Sequence, residues 1–186
     1  MRSRIILFSI TISAIILALG MVNVNFHNYM PFRVNYHNLS EYSKKQITCL
    51  AENIYFEAGY EPTDGKKAVA FVTLNRVQTG NYADDICGVV HQKTKGTCQF
   101  SWYCDKTFTS RTLTIKDTPL YNEIRDMATN IVVNYDKLKD VTDGATYYHA
   151  DYVRPNWRHL DKVTQIGRHI FYKSKGDEID RNREFF

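Results

Sequence analysis

Between Ile47 and Gln78 the spacing of apolar residues changes once, and the change marks two helices. Apolar positions first recur at Ile47, Leu50, Ala51, Ile54, Tyr55 and Ala58, the three-and-four rhythm of an amphipathic helix. Gly59 and Pro62 break it, and Thr63 or Asp64 can cap a second helix that reaches about Gln78. That helix is nearly all apolar from Ala68 to Val72, with Leu74 and Val77 following, so it is expected at the buried centre of the fold. A short helix carrying Ile86, Val89 and Val90 follows an Asp84-Asp85 cap. Thr118-Pro119 opens another with proline at its first position, and Tyr121, Ile124, Met127, Ala128, Ile131, Val132 and Tyr135 give it one apolar face. The stretches GATYYHADYV (144–153) and TQIGRHIFYK (164–173) are β-prone and predict a hairpin across the loop RPNWRHLDKV. The pattern is that of a predominantly helical α+β domain.

A different pattern precedes the domain. Arg2 and Arg4 lead into an apolar run from Ile5 to Val24, about 20 residues and just long enough to cross a bilayer. Ala18-Leu19-Gly20 has the small-x-small form of a signal-peptide cleavage site, but the run continues through Met21, Val22 and Val24, which favours an uncleaved anchor. Either reading places the working domain outside the cytoplasm, periplasmic or otherwise extracytoplasmic, and the anchor reading tethers it to the inner membrane through residues 5–24. The organisation expected is a signal anchor or signal peptide over 1–24, a tether over 25–42, a catalytic domain over 43–175 and a frayed charged tail over 176–186.

Composition refines this picture in two respects. The net charge of +4 is mild and spread along the chain, so no nucleic-acid partner is expected, while an anionic wall polymer would suit it. Cys49, Cys87, Cys98 and Cys104 make an even count in an oxidising compartment and predict two disulfides, with three pairings open. A zinc finger or ribbon is the rival reading, and the absence of any CxxC pair argues against it.

The candidate chemistry centres on Glu57. At about 100° per residue it lies roughly a quarter turn from the centre of the apolar stripe, half in and half out. Partial burial disfavours a charged carboxyl and raises its pKa, as a general acid near neutral pH requires. Glu52 points away from the stripe and reads as surface. The irregular stretch TKGTCQFSWYCD (94–105) sets aromatic and polar residues among two cysteines, either as a surface for flat or ring-shaped ligands or as packing around a disulfide.

Five segments in order, NIYFEAGYEPTDGKKAVAFVTLNRV, ICGVVHQ, CQFSWYCD, GATYYHADYVRPNW and IGRHIFYK, resemble the SleB/CwlJ cell-wall hydrolases over roughly Cys49 to Tyr172. That resemblance implies a lysozyme-like domain and cleavage of peptidoglycan glycan strands between MurNAc and GlcNAc, as a lytic transglycosylase or muramidase, with the catalytic glutamate at Glu57. The family's EARGE-type run reads EAGYE here: Gly59 stands where arginine is common, and Tyr60 replaces a glycine. Glu61, Gln99, Phe100, Ser101, Trp102, Tyr148, His149 and Tyr152 are expected to bind the glycan. Asn75 and Arg76 read as support for the catalytic helix, with Arg76 available to bond carbonyls or a carboxylate. Glu61, Asp105 and Asp151 are the candidates for a second carboxylate, which inverting and retaining hydrolases need and a lytic transglycosylase does not. A zinc amidase would recruit His149 with Asp151, His159 and His169, although no HExxH-like spacing exists. A non-catalytic wall-binding protein is a third class. The leading reading is a monomeric enzyme with no cofactor and no metal.

Overall fold

The computed structural model describes residues 34–105, 107, 114–183 and 185. The expected anchor or signal segment and half of the tether, residues 25–33, lie outside the described residues. Among the described residues no helix is long and apolar enough to cross a membrane.

The domain is α+β, with helices α1 (Glu41–Ala58), α2 (Thr63–Thr79), α3 (Ile86–Val90) and α4 (Pro119–Val133). Two short strands, β1 (Lys93–Thr94) and β2 (Thr97–Cys98), pair with each other. A three-stranded antiparallel sheet is built from β3 (Tyr147–Ala150), β4 (Leu160–Ile166) and β5 (His169–Ser174), in the order β3-β5-β4. Thus β5 pairs with both neighbours, and the stretch expected as one strand over 164–173 is two strands turning at Gly167-Arg168. Gly167 has φ +57°, in the left-handed region that glycine enters at little cost.

The helix boundaries follow their caps. Thr118 accepts a hydrogen bond from Tyr121 N at the start of α4, and Asp85 caps α3 through Gly88 N. Gly80, at φ +68°, ends α2. α2 is the central helix, with Ala68 through Gln78 all buried.

α1 begins earlier than its apolar stripe, because Ser40 caps its polar first turn by accepting from Ser43 N at 3.0 Å. Tyr36 also reaches Thr48 Oγ1 at 3.0 Å, so the folded domain starts ahead of Ser43. At the other end, the segment expected to fray is pinned. Gln78 Nε2 donates to Arg183 O at 2.8 Å, and Phe185 packs in the main core with its ring 5.0 Å from that of Tyr135.

Glu52 is a further correction: it is only 6 % exposed, and Lys116 Nζ stands 3.5 Å from its Oε1. α1 packs against α2, α3 and α4, so the side of the helix that lacks apolar residues is covered too. The disulfides pair Cys49 with Cys87, which joins α1 to α3, and Cys98 with Cys104, which closes the loop after β2.

A second, smaller core of Ala68, Val72, Ala145 and Phe171 glues the sheet to α2, with Tyr148 packed against it. Asn75 and Arg76 reinforce this joint. Asn75 Nδ2 donates to Asp140 Oδ2 at 2.9 Å and to Ala145 O at 3.0 Å, and Arg76 Nε donates to Thr146 O at 2.7 Å. These two residues therefore fix the chain entering β3, where the sequence reading had them supporting α1.

Candidate active site

Glu57 lies on the last turn of α1, half-buried, and lines a cleft of about 490 Å³. Volumes of about 300–1,000 Å³ are usual for ligand sites. Tyr55, Phe56, Tyr60 and Glu61 line the cleft from the α1 side, and Thr114 and Ile115 complete it. The expected quarter-turn placement holds.

Burial pushes the Glu57 carboxyl up from the usual carboxylate range. The hydrogen bond from Tyr148 and the positive charge of Arg76 act in the opposite direction. Tyr148 Oη donates to Glu57 Oε2 at 2.9 Å. Burial, and then the neighbouring Glu57 charge, hold the Tyr148 phenol well above its ordinary pKa, so it remains a donor.

Arg76 is buried, its guanidinium 5.3 Å from the ring centres of both Tyr82 and Phe100. Its Nη1 has no hydrogen-bond partner among the described residues. Such a cation, poorly solvated and close to the site, favours a negative charge on Glu57.

The other expected site residues divide. Tyr148 reaches the site, but its hydroxyl bonds the Glu57 carboxylate itself. Glu61 lines the cleft, and its Oε2 accepts from Arg168 N at 3.1 Å in the β4–β5 turn. Gln99 and Ser101 are exposed on the loop that the Cys98–Cys104 disulfide closes.

Phe100 and Trp102 are 3 % and 7 % exposed, so their rings are core residues with no free face for a sugar. Trp102 Nε1 donates to Asn53 Oδ1 at 3.1 Å, and its ring stacks on Phe56 at 4.7 Å, which buttresses the cleft wall from behind. The polar handle of a buried tryptophan has found its partner on α1, which is why an aromatic loop residue became core.

His149 is also displaced from its expected role. Residues alternate faces along a strand, and Tyr148 faces Phe171 and His169, while His149 stacks on Tyr172 at 5.3 Å and meets Trp157 on the opposite face. Its ring nitrogens lie 2.8 Å from Ala150 O and 3.0 Å from Tyr172 Oη. The same alternation separates His149 from His169, and among the described residues no group of three or more His, Cys, Asp or Glu side chains converges as a metal cluster would. Tyr152 is exposed, with the Arg168 guanidinium 5.5 Å from its ring centre.

Sequence reasoning missed the walls formed by Tyr55, Phe56, Thr114 and Ile115. Tyr55 and Phe56 were available as the immediate neighbours of Glu57. Residues 114–115 sit in a stretch without periodicity and gave no signal.

The profile of the family described as Cell Wall Hydrolase matches residues 60–172. That span begins three residues after Glu57, so the candidacy of Glu57 rests on its geometry and on the segment resemblance.

Relatives include a spore cortex-lytic enzyme of Oceanobacillus iheyensis, 30% identical over 134 residues, and one of Halalkalibacterium halodurans, 30% identical over 132. These matches take in 71% and 70% of this chain but only 43% and 35% of the relatives, so the chain spans less than half their length. Among solved structures, the catalytic domain of Bacillus cereus SleB superposes with a TM-score of 0.51 at 25% identity, covering 73% of this chain and 94% of that one. The catalytic domain of the germination-specific lytic transglycosylase SleB of Bacillus anthracis gives a TM-score of 0.52 at 24% identity, over 73% and 98%.

Proposed function

This chain belongs to the Cell Wall Hydrolase family, and from that premise we propose that it cleaves peptidoglycan glycan strands between MurNAc and GlcNAc as a lytic transglycosylase, with Glu57 as its one catalytic carboxyl. The observation that carries the reading is the hydrogen bond from Tyr148 to Glu57, a carboxyl that lines the cleft.

Tyr148 occupies Oε2, so the proton of the acid form sits on Oε1 and is free for the substrate. Glu57 gives that proton to the glycosidic oxygen as the bond from that oxygen to C1 of MurNAc breaks. The carboxylate left behind is held by the Tyr148 hydroxyl and the Arg76 charge. It then takes the proton of the sugar's own 6-hydroxyl, whose oxygen bonds C1 to close the anhydro ring. The proton is returned and no water is consumed. The lysozyme-like character implied by the sequence belongs to this reading: a single raised-pKa glutamate set against an apolar wall.

The enzyme acts as a monomer on the outer side of the membrane, tethered through residues 5–24. The support for the tether is the apolar run and its preceding arginines. Protein retaining its N-terminus but recovered in the soluble fraction would overturn it.

Digestion of purified sacculi by the wild type and by Glu57→Gln, with products separated and weighed, tests the activity. Anhydro-muramoyl ends from the wild type and none from the variant are expected. Reducing ends would mean hydrolysis, released stem peptides an amidase, and no change a binding protein.

A further inference from the structure

We propose that Tyr60 is the platform on which a sugar ring of the strand rests beside Glu57, an inference that takes glycan cleavage as its premise. Tyr60 is 96 % exposed, more than any other large hydrophobic residue described. It also lines the cleft that holds Glu57. Tyr152, the next most exposed ring, carries the Arg168 guanidinium over one face. Among the described residues no ring or cation covers Tyr60.

The backbone that displays this ring is held on both sides. Gly59 N donates to Tyr55 O at 3.1 Å and Glu61 N to Ala58 O at 2.9 Å, while Glu61 Oε2 takes the Arg168 N–H. A Cβ at position 59 would stand 2.5 Å from the Tyr55 carbonyl oxygen, too close for any side chain without movement of the backbone. The turn therefore shows its large side chain at position 60. This gives a physical account of the departure from the family's EARGE-type run, in which the bulky residue stands one position earlier.

An aromatic ring with two side-chain torsions, mounted on a fixed turn, loses little entropy when a flat ligand settles on it. The face of a pyranose ring presents C–H bonds, which suit the negative face of a phenol ring. A polymer threading past the acid must be gripped on the sugars flanking the scissile bond, and Tyr60 stands at the cleft for that purpose.

The test compares Tyr60→Ala and Tyr60→Phe with wild type on purified glycan strands, and repeats the comparison as strand binding in a Glu57→Gln background. For Tyr60→Ala, KM should rise about 2- to 10-fold with kcat little changed, matched by an equal loss of strand binding. Tyr60→Phe should keep wild-type KM, because stacking needs the ring and not the hydroxyl. Unchanged KM and binding in Tyr60→Ala, with a wild type that cleaves, overturns the Tyr60 assignment alone. An equal loss in both variants assigns the effect to the hydroxyl and overturns stacking. A wild type that neither binds nor cleaves strands overturns the functional reading together with this one.

Discussion

Tyr148→Phe removes one oxygen atom from the site and leaves the ring, which packs 5.1 Å from His169 and 5.7 Å from Phe171. The fold should therefore survive. What is lost is the hydrogen bond to Glu57 Oε2 at 2.9 Å. Hydrogen bonds to charged groups contribute about 1.5–3 kcal/mol, and this one favours the carboxylate over the acid. At tenfold per 1.36 kcal/mol, a rate limited by formation of the carboxylate falls about 10- to 150-fold. The pH profile fixes the sign. The proposed mechanism requires protonated Glu57 in the free enzyme, so kcat/KM is expected to decline as pH rises through the Glu57 pKa. Without the phenol that pKa rises further, and the decline moves to higher pH. The assay is release of anhydro-muropeptides across a pH series, with thermal melting as the control for folding. An unshifted profile, or a shift to lower pH, would refute the argument that Tyr148 stabilises the carboxylate.

Two further expectations concern stability. Burial raises the Glu52 carboxyl above its ordinary value of 4.5 despite the opposing Lys116 charge, so the folded state loses stability as pH rises from there through the raised value. Glu52→Gln should therefore melt higher than wild type at pH 7 and lose that advantage below pH 4.5; equal melting at both pH values would return Glu52 to the surface. The Cys49–Cys87 bond closes a separation of 38 residues and Cys98–Cys104 one of 6. Loop entropy assigns them about 4 and about 2 kcal/mol respectively. Denaturant unfolding of the two double-serine variants checks the order, which a larger loss from the shorter loop would reverse.

What the sequence revealed and what it concealed have physical causes. Helices α3 and α4 were legible because their caps, Asp85 and Thr118, are local signals that the tertiary structure left in place. Helix α2 was legible from its apolar run alone: neither Thr63 nor Asp64 caps it, and Pro62 stands at its N-cap without a side-chain hydrogen bond. The angle of Glu57 to the stripe gave its partial burial, while its candidacy as the acid came from the ordered segments that resemble the family. The burial of Glu52 was not legible, since a helix packed by neighbours on several sides buries residues that its own periodicity calls outside. The β-prone run over 164–173 hid a turn, because Gly167-Arg168 is a short break between strongly β-forming flanks. Trp102 and Phe100 looked like a ligand surface by their position in a loop, and only the partner atoms Asn53 Oδ1 and the Arg76 guanidinium show them to be core. Phe185 is a long-range contact from the chain end, which no local pattern reports.

The choice between one carboxylate and two turns on Glu61, which shares the cleft with Glu57. A retaining or inverting glycosidase needs a second carboxyl set across the scissile bond. Glu61 is one residue past the helix-ending turn, and its Oε2 is committed to Arg168 N. Gly167 is shaped around it as well, since a Cβ there would fall 2.0 Å from that same oxygen. Asp151 stands 3.8 Å from the Arg168 side chain, and Asp105 accepts from Thr107 N at 2.8 Å, so both have local duties. Glu61 thus anchors the β4–β5 turn to the α1–α2 connection. Glu61→Gln keeps an oxygen for Arg168 N while removing the charge, and it should retain anhydro-product formation within about tenfold of wild type. Glu61→Ala removes the acceptor of a solvent-exposed hydrogen bond and should cost no more than about 1.5 kcal/mol of stability. If Glu61→Gln instead abolishes cleavage as fully as Glu57→Gln while melting normally, the second carboxylate is chemical, and the mechanism is hydrolysis with two acids.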